Sequence, residues 1–172
     1  MIAAGAAAES PLWASALRPE AEQDAVPVFS PLVLDRRFAL GVETIYEGYL
    51  LHYGRPRLFA PSDDDVGLLL GDALLAHGLV RIADTGSVTA VADLAALLSL
   101  CAQARADGRE GDGAAWAATS ALLAQGGLDV ARAALRESGD PAPLERLARS
   151  TAGDEAVDAA LAAHAARLSV IV

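Results

Sequence analysis

Apolar residues recur three and four positions apart along most of the chain after residue 30, and only the first 29 positions lack such a period. Leu34, Phe38, Val42, Ile45 and Tyr49 mark one face of a helix. It opens at Ser30-Pro31, a hydroxyl cap followed by proline at the first helical position, and stops at Gly54 ahead of Pro56. A second helix opens at Ser62, with Asp63, Asp64 and Asp65 on its positive end, and runs to about Asp84. Its apolar residues, from Val66 through Leu68, Leu69, Leu74 and Leu79 to Ile82, cover nearly the whole circumference, which predicts a central position or a subunit interface. Gly67, Gly71 and Gly78 leave a stripe without side chains, where a neighbouring backbone can come close. A third helix, from Ser87 to Asp107, turns Val91, Leu94, Leu97, Leu98 and Cys101 inward and ends at Gly108.

After the loop Gly108 to Gly113, weaker patterns predict helices at about 114–125, 128–138 and 154–168, with Pro141, Pro143 and Gly153 punctuating the last gap. Residues 1–29, interrupted by Pro11, Pro19 and Pro27, read as a flexible Ala/Pro-rich tail or lid. The expectation is an all-α protein: a single domain over 30–168 built as an orthogonal or antiparallel bundle of about six helices. Val170 to Val172 is the one stretch that reads as a strand.

Composition narrows the function classes. Hydrophobic residues make up 53% of the 172 and aromatics only 5%, so the apolar content is mostly Ala, Leu and Val, which favours packed helices over a sandwich or barrel. The chain contains no lysine, and its 13 arginines stand against 23 acids for a net charge of −10, which disfavours nucleic acid as a partner. One cysteine, Cys101, excludes an internal disulfide and any cysteine-rich metal site, consistent with a reducing, cytoplasmic setting. Met1 to Ser10 has no basic flank and does not read as a secretory signal. The longest uncharged stretch, Gly113 to Leu128, is too short and too rich in Gly, Ser and Thr for a membrane span.

Candidate chemistry is sparse. His52, His77 and His164 never fall at metal-ligand spacing, and no nucleophile elbow, phosphate-binding loop or dinucleotide fingerprint occurs. The absence of lysine removes Schiff-base chemistry. Asp63 to Asp65 reads as a capping run that needs no ligand. Glu43 and Glu47 stand four apart, on one helix face, where two like charges repel and a divalent ion between them would relieve the cost.

The stretch from Glu43 to Gly78 resembles the trans-isoprenyl diphosphate synthases, or polyprenyl synthetases, in an ungapped register. Gly54-Arg55-Pro56 stands at that family's Gly-x-Pro, and Leu70-Gly71-Asp72-Ala73-Leu74-Leu75-Ala76 at its Gly-Asp helix. Counting back from Pro56, Glu43, Thr44 and Glu47 occupy the positions of the aspartate-rich DDxxD. The resemblance implies an isoprenoid-synthase-like first half, with Glu43 and Glu47 as magnesium ligands and Arg55 and Arg57 as diphosphate ligands if the protein is active. The departures are specific: one carboxylate of the three is lost, His52 and Tyr53 replace the two arginines that follow, and no second aspartate-rich motif appears after residue 108. A bidentate, permanently charged anion clamp is thereby missing.

Three functions are weighed on these residues. The leading one is a diverged, non-catalytic polyprenyl-synthetase-like helical protein that acts by association, as a homo-oligomer or with a helical protein partner. The second is a magnesium-dependent prenyltransferase, or a subunit of an isoprenyl diphosphate synthase. The third is a small helical module for an apolar ligand, an isoprenoid among them, with Tyr46, Tyr49 and Phe59 lining a pocket. On any of them Asp72, lying inside an apolar helix, is expected to be a buried or half-buried structural acid paired with Arg55, Arg57 or a tyrosine.

Overall fold

The computed structural model describes residues 1–168, and within them the chain is all-helical with no named strand. Nine α-helices are present among the described residues: α1 (Ile2–Glu9), α2 (Pro11–Ser15), α3 (Ala39–Tyr53), α4 (Asp64–Ala83), α5 (Val88–Ala106), α6 (Asp112–Ala121), α7 (Asp129–Ser138), α8 (Ala142–Ala152) and α9 (Asp154–Ala165). The expected count of six falls short by α1, α2 and α8. α8 hides behind Pro141 and Pro143, yet proline within a first turn removes no intrahelical hydrogen bond. α2 is started by Ser10, whose Oγ accepts from the Leu12 amide at 3.1 Å. The 1–29 segment therefore lies against the body: Ala6 and Ala16 are buried with Leu58, Phe59, Leu70 and Leu74 in a small second core. Val170 to Val172 lie outside the described residues.

Ser30-Pro31 begins only a single 3-10 turn, Ser30–Leu32, and a second at Arg36–Phe38 leads into α3. Leu34, expected on the inner face, is exposed, whereas Phe38, Val42, Ile45 and Tyr49 are buried as their spacing implies. The cap of α4 is Asp63, whose Oδ1 accepts from the Val66 amide at 2.8 Å.

Two helices occupy the centre. Every residue of α3 from Gly41 to Leu50 is buried, and so is every residue of α6 from Asp112 to Ala121. α6 is rich in small residues, and α3 carries Gly41 and Gly48 where α4 approaches, so other elements can close over all sides. The main core gathers on Trp116 of α6, with the rings of Phe29, Tyr46 and Tyr49 at 5.1–5.4 Å. α4, the helix with the most continuous apolar run, is peripheral instead. Gly67, Leu70, Gly71, Leu74, Gly78 and Ile82 face inward, while Leu68, Leu69 and Val80 are 50%, 57% and 57% exposed. α4 and α5 are long and apolar enough to cross a membrane, a length and composition that core helices also reach.

Glycine sets the contact between α3 and α4. A Cβ on Gly78 would stand 2.2 Å from Ile45 Cγ1 and 2.9 Å from the Gly41 carbonyl oxygen. One on Gly48 would stand 2.8 Å from the Gly71 carbonyl oxygen. Two glycines seven apart on each helix thus form one seam with backbone against backbone. Gly67 is outside it, meeting only the Pro61 ring. Gly78→Ala is expected to cost about 1–3 kcal/mol in urea unfolding through overpacking. Gly67→Ala, which gains helix propensity against one movable ring, should stay near neutral. Equal losses for the two would refute the seam.

Candidate functional site

Glu43 and Glu47 come together in the structure, one turn apart on α3, and both meet Arg57. Arg57 Nη1 donates to Glu43 Oε2 at 2.6 Å and Nε to Glu47 Oε2 at 2.9 Å. The remaining carboxylate oxygens are also engaged. Glu43 Oε1 accepts from the amides of Val28, Phe29 and Ser30 at 2.8–2.9 Å, and Glu47 Oε1 accepts from the Leu58 amide at 2.7 Å. Arg57 completes its donors on the carbonyls of Val26 at 3.0 Å and Glu43 at 3.3 Å, and lies 5.2 Å from the Tyr46 ring centroid. All three side chains are buried. Burial would lower the Arg57 pKa, but the charges of Glu43 and Glu47 outweigh it and raise the value above the usual one.

This arrangement does not fit a magnesium ion between the glutamates. A hard cation needs oxygens free to turn toward it, and here every carboxylate oxygen is already held by a cation or an amide. Nor is Arg57 free to grip a diphosphate. Arg55 is exposed and spends one donor on the Ala166 carbonyl, while its own amide donates to the Arg167 carbonyl at 2.7 Å. The four residues thus clasp the fold in place of an open anion site.

Asp72 differs from its expectation: its side chain is 74% exposed and its partner is His52 Nε2 at 3.1 Å, not an arginine or a tyrosine. The apolar circumference of α4 implies burial only if something covers every side, and among the described residues Asp72 stays exposed beside His52. Tyr46 and Tyr49 lie within the aromatic core, and Phe59 lines a cavity of about 530 Å³ beside His52, Pro56 and Pro61.

A second buried polar centre has no counterpart in the sequence reading. Asp112, at the start of α6, accepts on Oδ2 from Tyr49 Oη at 2.6 Å and from Arg105 Nη2 at 2.6 Å, and on Oδ1 from the Gly113 amide at 3.0 Å. His164 of α9 places Nε2 3.5 Å from Asp112 Oδ1, an ion-pair separation, and Nδ1 3.0 Å from Tyr46 Oη. Burial raises Asp112, but His164, Tyr49 and Arg105 together outweigh it and hold the carboxyl well below the usual aspartate range. Burial pushes both tyrosines well above their usual value. Cys101 is fully buried beside this centre, and its thiol is also pushed up, first by burial and then by the Asp112 charge. A cavity of about 430 Å³ opens next to Asp112 and His164, walled by Pro141, Leu161 and Leu168.

A third buried pair holds α5 to α7: Arg132 Nη1 donates to Asp93 Oδ1 at 3.1 Å, and Asp93 Oδ2 accepts from the amide of Ala124, which takes a left-handed φ of 67°. Among the described residues no three His, Cys, Asp or Glu side chains converge as a metal site would need.

The chain matches no family model, no curated protein and no solved structure. Chemically, the buried centres pair charges and tie elements together: Arg57 joins α3 to the turn that follows it, and Asp112 joins α6 to α5 and α3.

Arg57→Met is expected to destabilise by about 3–5 kcal/mol in chemical denaturation, because it leaves two carboxylates facing each other without a counter-charge. A loss near that of a surface change would show the clasp to be solvated. Asp112 generates a pH effect of defined sign. Its depressed carboxyl contributes stability fully above the ordinary aspartate value of 3.8 and loses it as pH falls through the native value. The slope is up to about 1.4 kcal/mol per pH unit. Asp112→Asn should lower stability at neutral pH and flatten that acid limb; identical acid limbs would refute the assignment.

Proposed function

We propose that the protein is a non-catalytic helical module that acts by association, with the outward face of α4 as its contact surface. One observation supports this above others: Leu68, Leu69 and Val80 stand more than half or half exposed on a helix whose opposite face is buried. Large apolar residues gathered on one face, and not scattered singly, are what interaction surfaces present. The engagement of Glu43, Glu47 and Arg57 with one another speaks against the prenyltransferase alternative, since departing pyrophosphate needs cations that are free to meet it. The likeness to trans-isoprenyl diphosphate synthases enters as a likeness of scaffold, centred on the α3–α4 pair, without the diphosphate chemistry.

Purified protein given magnesium with allylic and homoallylic diphosphates is expected to show no chain elongation above background. Magnesium-dependent turnover abolished by Glu43→Gln and Glu47→Gln would overturn the reading. On the association side, sedimentation of the protein alone and with helical probes should lose any complex in Leu69→Arg/Val80→Arg, with the thermal melt unchanged. A complex that survives the double variant places the contact elsewhere.

A further inference from the structure

Resting on that reading, the charges on the α4 face identify what covers it. Asp65, Leu68, Leu69, Asp72, Ala76, Val80 and Ala83 are all exposed, and steps of three, four and seven place them on one side of the helix. From Asp65 to Val80 the stripe runs about 22 Å, four turns of helix. Its only charges are the two aspartates, two turns or about 10 Å apart, with the leucines between them. The helix does carry basic groups, but both turn toward α1: His77 Nε2 lies 3.1 Å from Glu9, and Arg81 lies beside Gly5. His52, which contacts Asp72, sits beneath the stripe with its side chain 17% exposed.

A second copy of the chain is a poor occupant. A two-fold contact presents the same patch from both sides, so it would bring four aspartates and no surface cation from the two stripes into one interface. Like charges set opposite each other raise the cost of association and turn partners away. An anionic membrane meets the same objection, sharpened by the chain's net charge of −10. An apolar strip edged with cations at two-turn spacing meets none of it, since the apolar strip covers Leu68, Leu69 and Val80 while the cations neutralise Asp65 and Asp72. Ala76, small and midway, lets another helix approach closely. We infer that the α4 face docks an amphipathic helix of a different protein, one that flanks its apolar strip with lysine or arginine.

The experiment uses the full chain and two synthetic helical peptides with identical leucine faces, one flanked by lysines and its twin by glutamates, read by fluorescence anisotropy. The lysine peptide is expected to bind about tenfold or more tightly than its twin, and added salt should narrow the gap. Asp65→Lys/Asp72→Lys should reverse the preference, whereas Glu137→Lys/Glu155→Lys, exposed acids on other helices, should leave it in place. Leu69→Ser should weaken both peptides, with circular dichroism confirming the fold of each variant. If the two charge-swapped variants behave alike, binding follows net charge and the inference falls. A wild-type dimer that Leu69→Arg dissociates, or flotation with mixed neutral and anionic vesicles that the same change abolishes, also overturns it while leaving the association reading intact. If Leu69→Ser alters no association of any kind, both fall together.

Discussion

Two carboxylates in the middle of a buried helix are untenable without a counter-charge, and Arg57 supplies it to Glu43 and Glu47 at once. The course of the chain around α3 follows from that contact. Segment 26–30 is drawn in because its amides and the Val26 carbonyl complete the hydrogen bonds of Glu43 and Arg57, and that in turn places Phe29 in the aromatic core. The turn after α3 is drawn in by the Leu58 amide on Glu47, which sets Leu58 and Phe59 under α2 and α4. Polar groups, not apolar ones, thus decide how the two ends of the fold meet its central helix. Such a contact gives specificity of path; an apolar substitute of the same volume could be as stable without directing the chain in the same way.

Around that helix, steric size governs what lies inside. The helical class, the span of α4 and α5 and the inward face of α3 are legible because apolar spacing reports amphipathicity directly. The ranking of helices by depth is not, because hydropathy does not count space. α6, with Gly113, five alanines, Thr119 and Ser120, is wholly buried around one large side chain, Trp116, whereas the leucine-rich α4 keeps a face in solvent. The glycines of α4 announce a close approach, but their partners Gly41 and Gly48 become meaningful only when the antiparallel seam is seen.

The candidate residues fared according to how local their partners are. Glu43 and Glu47 are identifiable from i,i+4 spacing alone, and what spacing cannot supply is the third member. Arg57 lies ten and fourteen positions away across a turn, so the repulsion that a metal ion would relieve is already offset by a shared guanidinium. The Tyr46–His164 contact spans 118 positions and Tyr49–Asp112 spans 63, distances at which no single-chain pattern brings the residues together. Asp72 departs from its expectation for the opposite reason: an acid in an apolar run marks either a buried pair or an outward face, and only the packing of α4 distinguishes them.

The burial of Cys101 has a practical corollary. It is the chain's lone sulfhydryl, it sits against the Asp112 centre, and its surroundings disfavour the thiolate on which alkylating reagents act. Modification therefore has to wait for α5 to part from its neighbours. The wild-type molecule thus carries a built-in chemical clock: the labelling rate reports how often this part of the core opens, and no reporter group need be engineered into it.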